Sequence, residues 1–230
     1  MDGGASPSEG GVDNDAVLRT ARADCDAPDL INRLAEGLGD GPFAVVMIFC
    51  SPASPFQTLV TGLQSRLGDA PVMACTTAGE IAMGAGYVEE QVVAMALPQR
   101  CFEAEVLLYE DLENLPSNEM TQRTIRARAE LGARAPEMTE EFAFLMVDGL
   151  SMQEDRLASS LTAGLGPTQL FGGSAGDGVR FEHTFVALNG VCHEKAAVMA
   201  LVRSTCRLRV FSVNHFTPTD LRMVVTRADP

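Results

Sequence analysis

The chain has 230 residues, of which 46% are hydrophobic and 21% are charged, and its formal net charge is −14 at pH 7. This length allows one large domain or two small ones with a sizeable core. The acidic excess disfavours nucleic acid and anionic membranes as partners, because no basic face could gather phosphates. No apolar run approaches the ~18 residues that cross a bilayer, and the N-terminus lacks the pattern of a secretory signal. We therefore expect a cytoplasmic protein without membrane insertion.

The six cysteines are scattered along the chain and form no Cys-x-x-Cys pair. Most of them lie within apolar runs that read as strands. This placement favours buried, reduced thiols over a disulfide framework or a zinc site.

Residues 1–15 are rich in glycine, serine and acidic residues, which predicts a disordered N-terminal tail. Residues 16–39 are expected to form a helical lead-in, since apolar residues between Asp29 and Leu38 recur at helical spacing. The apolar residues of Asp15–Arg22 fit either a helical turn or an edge strand. The main domain is then expected over residues 40–215.

The main domain shows the same order of elements twice. Continuous apolar runs at Ala44–Cys50 and Phe142–Val147 predict buried strands, and each is followed by an amphipathic helix and a short strand. Leucines at 59, 63 and 67 on the first helix correspond to leucines at 157, 161 and 165 on the second, and each helix is followed by a glycine. The sequence therefore predicts an α/β fold in which a mixed sheet and flanking helices are built from two degenerate repeats, residues 42–112 and 140–215.

Further elements are expected between and after these repeated units. Gln91–Leu97 and Phe102–Tyr109 read as a pair of strands, and Asn118–Arg134 as an amphipathic helix. Asn189-Gly190 predicts the turn of a hairpin. Two last strands are expected at Leu208–Val213 and Leu221–Thr226.

The most unusual stretch is Gly172–Gly178, in which four of seven residues are glycine and which is expected to form a loop after a short strand. Ser174-Ala175-Gly176-Asp177 aligns with Thr77-Ala78-Gly79-Glu80, with a hydroxyl, alanine, glycine and carboxylate in each case. The two turns are therefore candidates for a shared ligand site. Close-packed structural turns without a ligand are an equal alternative. The candidate ligand-binding residues are Thr76, Thr77, Glu80, Gly172, Gly173, Ser174, Gly176 and Asp177.

Two other kinds of site deserve comparison with this one. Gly172–Gly176 reads Gly-x-Ser-x-Gly, the pattern of a hydrolase nucleophile elbow, but the elbow requires a following helix that the sequence does not predict. A haem needs one axial histidine in an apolar pocket, and His183 and His215 are candidates for that ligand. A histidine satisfied within the core is the alternative interpretation for His183.

Three motifs together resemble the N-terminal part of the FIST sensory domain: Cys75–Glu80, Val147–Ser151 and Phe171–Gly178. The resemblance covers roughly residues 40–215, and it implies a domain that binds a small ligand in bacterial signalling. It also implies a partner, either a histidine kinase or a cyclic-di-GMP enzyme. His215–Thr219 and Val225–Pro230 look like the branch of the family that senses nitric oxide through haem b.

Family members normally continue into a C-terminal FIST region, and residues 216–230 resemble the start of that region, cut short. The leading hypothesis is a sensor that is not an enzyme and that binds a small ligand, with haem b as one candidate. The alternatives are a serine hydrolase that uses Ser174 and a purely structural interaction module.

Overall fold

The computed structural model describes residues 13, 15–82, 86–178, 180–213 and 216–227. The predicted disordered tail therefore lies almost entirely outside the described residues, and so does His215. Within the described part, the chain forms four layers, with two sheets packed face to face and a pair of helices on each outer face.

The described elements divide into two halves of similar order. The first half contains β1 (Arg19–Asp24), α1 (Leu30–Leu38), β2 (Phe43–Cys50), α2 (Phe56–Leu67), β3 (Val72–Thr76), β4 (Glu80–Ala82), β5 (Gly86–Val88) and β6 (Gln91–Pro98). The second half contains β7 (Phe102–Tyr109), α3 (Ser117–Arg134), β8 (Glu140–Asp148), α4 (Glu154–Leu165), β9 (Gln169–Ala175), β10 (Val186–Leu188), β11 (Val191–His193) and β12 (Ala197–Ser204).

The two large sheets share one strand order. The first sheet runs β1-β6-β2-β3-β10-β11, and the second runs β7-β12-β8-β9. In each half the first strand pairs antiparallel with the last strand, which in turn pairs antiparallel with the second strand. The pairs β2–β3 and β8–β9 are parallel. These mixed sheets confirm the predicted α/β class, whereas the duplication itself stays a prediction.

Three apolar layers hold the sheets and helices together. One lies between α1, α2 and the first sheet, one between the two sheets, and one between the second sheet and α3, α4. Strand β12 is apolar along most of its length because both of its faces are covered. Val198 and Val202 face the other sheet, whereas Met199 and Leu201 face the helices. The continuous apolar runs in the sequence therefore belong to strands that are covered on both faces.

Both repeated helices end as their sequences predict. Gly68 follows α2 with φ +64°, and Gly166 follows α4 with φ +62°. Glycine is favoured at this position because a left-handed residue ends the helix without the penalty that a Cβ atom brings.

Two predictions about secondary structure are wrong, and a third holds only in its alternative form. The lead-in over residues 16–39 is helical only in α1, and its first part is the edge strand given as the alternative, since residues 19–24 form β1 and pair with β6. Strands β6 and β7 do not pair with each other, since β6 lies between β1 and β2 in the first sheet and β7 is an edge strand of the second. Leu208–Val213 and Leu221–Thr226 form no strand, because no described sheet edge pairs with them.

The glycine-rich stretch also differs from the prediction, since its first part is strand rather than loop. Strand β9 continues to Ala175 and pairs with β8 along its whole length. Gly172 is required there: a Cβ atom on it would lie 2.0 Å from the carbonyl oxygen of Leu145. The glycines therefore allow close pairing of two strands, and the loop begins only at Gly176.

Candidate functional site

The structure brings the two aligned turns together at the carboxyl ends of the parallel strands. The backbone N–H of Gly176 donates to the carbonyl of Thr76 at 3.0 Å. A Cβ atom on Gly176 would lie 3.3 Å from the backbone nitrogen of Ala78, which leaves little room for a side chain. The two halves of the chain therefore meet at the motifs that the sequence aligned.

Thr76 holds the segment before β10, where the chain comes back from the second sheet to the first. Its N–H donates to the carbonyl of Phe185 at 3.0 Å, and its hydroxyl accepts the N–H of Phe185 at 3.1 Å. The buried hydroxyl of Thr76 is thus already used as an acceptor by the protein.

Asp177 organises the loop that leaves this meeting point. Its carboxylate accepts the backbone N–H groups of Phe181 at 2.9 Å, Glu182 at 2.7 Å and His183 at 3.1 Å. These N–H donors, that of Glu182 foremost, lower the pKa of Asp177 because they stabilise its charged form. Both carboxylate oxygens of Asp177 are therefore already occupied by hydrogen bonds that hold the loop.

Glu80, the counterpart of Asp177, has the opposite environment. Its side chain is only 3% exposed, and its Oε2 atom has no hydrogen-bond partner among the described residues. The hydroxyl of Thr77 bonds to Oε1. Burial raises the pKa of Glu80, and the hydrogen bond from Thr77 offsets this only in part.

The Thr77 hydroxyl has two acceptors within reach, Oε1 of Glu80 and the backbone carbonyl of Cys50. The Thr77 hydroxyl also lies 3.2 Å from the carbonyl oxygen of Cys50, and a hydroxyl has one proton to donate. The Thr77 proton can therefore serve only one of these two acceptors at a time. The Oε2 atom of Glu80 is a buried acceptor that lacks a donor among the described residues.

Two adjoining cavities open above the carboxyl ends of β2 and β3, and we call them together the strand-end groove. Their volumes are about 360 and 440 Å³, and both are lined by Pro52, Asp177 and Arg180. The remaining lining residues are Ser51, Ala53, Ser54, Phe56, Gln57, Thr76, Ala78, Gly79, Tyr87, Glu89, Glu90, Gly178, Glu182, His183 and Phe185.

Arg180 brings a positive charge to this groove, and none of the described residues pairs with that charge. Its side chain is exposed and forms no ion pair or hydrogen bond with any described residue. Sequence reasoning missed Arg180, Gln57 and Tyr87. The order of strands could have indicated that the loop after β2 belongs to the site, since the ends of neighbouring parallel strands share one edge.

Six of the eight predicted site residues line neither cavity: Thr77, Glu80, Gly172, Gly173, Ser174 and Gly176. Gly172, Gly173 and Ser174 lie within β9. The Ser174 hydroxyl donates to Oε1 of Glu154 at 3.1 Å. Because Ser174 lies within a strand and bonds to a carboxylate, the geometry of a nucleophile elbow is not formed here.

His183 lines the groove but is not enclosed by an apolar pocket. Its side chain is 71% exposed, and Nδ1 lies 3.4 Å from the carboxylate of Glu194. One face of its ring stacks on Phe185 with a centroid distance of 6.2 Å. An axial haem ligand needs an apolar pocket around it, so the residues near His183 do not fit a haem.

A further cavity of about 700 Å³ lies at the opposite ends of the strands. Its lining includes Asp40, Phe43 and Arg66, and none of the predicted site residues is among them. Within the described ranges, no three His, Cys, Asp or Glu side chains are grouped as metal ligands would be. No described helix has the length and apolar character to span a bilayer.

Comparison with known proteins gives one informative result. The family model for the FIST N domain matches residues 44–230, which is most of the chain and includes both turns of the groove. Comparison with curated proteins gives no match.

Proposed function

Because the chain belongs to the FIST N domain family, a family of sensory domains that bind small ligands in signal transduction, we propose that it binds its ligand in the strand-end groove. Ligands of α/β proteins bind outside the carboxyl ends of strands, where the loops diverge. The groove occupies that position in the first sheet, and both aligned turns reach it.

The observation that carries this proposal is the unpaired Oε2 atom of Glu80. A buried acceptor without a donor costs free energy, so its retention needs an explanation beyond folding. Glu80 itself lines neither cavity, but it directly follows Gly79, which lines the groove together with Ala78. A ligand with a hydrogen-bond donor would satisfy Oε2, and Arg180 would hold an anionic group of the same ligand.

This site also offers a way to transmit the binding event. The hydrogen bond between Gly176 and Thr76 joins the two halves of the chain at the groove. A ligand that contacts both turns would alter the fit of the halves and thereby the outer surface. On the family resemblance, we propose a histidine kinase or a cyclic-di-GMP enzyme as the protein that reads this change.

We propose binding without catalysis, since Ser174 bonds to Glu154 and no observation favours the serine hydrolase. Haem b is not proposed on His183, whose surroundings are polar and exposed. The prediction that His215 binds haem concerns a residue outside the described ranges and stays a prediction.

A ligand screen tests the site. Thermal-shift measurement against a library of small polar molecules, with haem b included and followed by absorption, identifies binders, and calorimetry then gives their Kd. We expect Glu80→Ala and Arg180→Ala each to weaken binding about 10-fold or more, because each removes a charged or buried hydrogen-bonding group.

Arg66→Ala is the matched control, since it removes an arginine from the cavity at the opposite strand ends. It should leave Kd unchanged. Binders that lose affinity in Arg66→Ala and keep it in Arg180→Ala would place the ligand in that other cavity and contradict the proposal.

A further inference from the structure

We propose that the open edge of β9 binds residues 221–226 of a second copy of the chain, so that two copies exchange these segments and form a dimer. Strand β9 is the last strand of the second sheet and pairs only with β8. An unprotected strand edge offers backbone N–H and C=O groups to an added strand.

Other edges of the two sheets are protected in ways that β9 is not. The carbonyls of Ala104 and Leu108 in β7 accept hydrogen bonds from Arg134 and Arg123 of α3. At the β10–β11 turn, Gly190 accepts from side chains of α2. No side chain of the described residues donates to the backbone of residues 169–174.

The composition of β9 suits a close approach. It contains no charged residue and no proline, which are the usual protections of an edge. Gly173 has open space around it, since a Cβ atom there would meet nothing within 4 Å. Phe171 is exposed at this edge and contacts Phe142 and Phe144.

The segment 221–226 has the pattern of a strand but no sheet. Leu221, Met223 and Val225 alternate along it, so they would share one face of an extended strand. Their exposed fractions are 84%, 96% and 81%. So much exposed apolar surface in one short segment indicates an interaction site.

Charge complementarity favours the acidic body of this same protein as the partner. Residues 207–227 carry four arginines and one aspartate, whereas the whole chain has a net charge of −14. Arg222 and Arg227 are five residues apart, and so are Gln169 and Ser174 in β9, so an added strand could place one arginine near each end of β9. Glu154 lies at Ser174, and Glu140 begins the neighbouring strand, so acidic groups flank both ends of the edge.

The exit of the chain from the second sheet favours a second copy over the chain's own segment. After β12 ends at Ser204, the N–H of Thr205 donates to the carbonyl of Cys101 at 3.1 Å. Cys101 precedes β7, which is the edge opposite β9. The segment therefore leaves on the far side of its own sheet.

Light scattering after size-exclusion chromatography tests the dimer. We expect wild-type protein at twice its 24.5 kDa mass, and monomers for Gly173→Asp and for Val225→Asp. Val191→Asp, at an exposed residue of β11 in the other sheet, should stay dimeric. Since Val225 lies in an exposed segment, its variant keeps the core intact even if Gly173→Asp unfolds.

A 1:1 mixture of the two variants retains one undamaged contact and should form a weak heterodimer. A wild-type monomer at all concentrations, or a dimer that both substitutions leave intact, would overturn the proposal. A monomer whose β9 amides are protected from hydrogen exchange would also overturn it, because the chain would then be pairing with its own segment.

Discussion

The turns Thr77–Glu80 and Ser174–Asp177 have equivalent sequences and meet at the same place, yet their carboxylates differ in almost every physical property. Asp177 accepts three backbone N–H groups, which lower its pKa. Glu80 is buried with one hydrogen bond and one unpaired oxygen, and burial raises its pKa. The comparison shows that an acidic residue at one motif position can stabilise a loop in one half of a chain and be buried with an unpaired oxygen in the other.

The residues before these turns differ as well. The first half has buried Cys75 and Thr76 at the end of β3, where the second half has exposed Gly172 and Gly173. Hairpin β10–β11 covers the edge of β3, whereas nothing described covers the edge of β9. The halves therefore share a topology but differ in their edges: the groove lies at the strand ends of the first sheet and is lined by residues of both halves, whereas the second sheet has an open edge at β9.

The largest expected effect tests whether the glycines of the second half have a structural role. Gly172→Ala should destabilise the fold by about 3 kcal/mol or more, because its Cβ would collide with the backbone of Leu145 and its φ of +149° is unfavourable for alanine. Gly173→Ala should change the free energy of unfolding by about 0.5 kcal/mol or less, because that site has open space.

Denaturant unfolding followed by circular dichroism measures both values. Equal effects in the two variants would show that β9 does not approach β8 as closely as described.

The next effect tests the loop role of Asp177. Asp177→Asn should lower Tm by several degrees, since a neutral amide is a weaker acceptor for three N–H groups. Because the pKa of Asp177 is lowered in the folded state, its contribution is present above the unfolded pKa and is lost as the pH falls through the folded pKa. The difference in Tm between wild type and variant should therefore shrink in acid.

Glu130→Gln on the exposed face of α3 is the control for the loss of one negative charge. If it lowers Tm as much as Asp177→Asn does, net charge rather than the loop explains the effect.

The smallest effect, with the opposite sign, concerns Glu80. Its pKa is raised in the folded state, so its contribution to stability is full below the unfolded pKa and is lost as the pH rises through the folded pKa. Glu80→Gln cannot ionise and should therefore gain stability relative to wild type between pH 5 and pH 8, while the two proteins converge at pH 4.

Chemical denaturation across this pH range measures the gain. A variant that is less stable than wild type at pH 8 would show that Glu80 is charged and paired in the folded protein.

The sequence by itself determined the α/β class, the buried strands β2 and β8, the helices with their glycine ends and the hairpin at Asn189-Gly190. These features depend on local properties: the periodicity of apolar residues and the conformational freedom of glycine. The alignment of the two turns was also visible, because matching residue types lie at nearly constant spacing.

Only the tertiary structure decided which strands pair, and therefore what each matched residue does. The sequence predicted that Gly172 lies in a loop. In the structure it lies in β9, where the absence of a Cβ atom allows the strand to pair with β8. The alternating apolar residues of 221–226 predicted a strand, and this prediction is wrong, because a strand needs the edge of another strand to bond with and no described edge pairs with this segment. Arg180 entered the site because the long-range bond between Gly176 and Thr76 brings its loop over the first sheet, and no local pattern records such a contact.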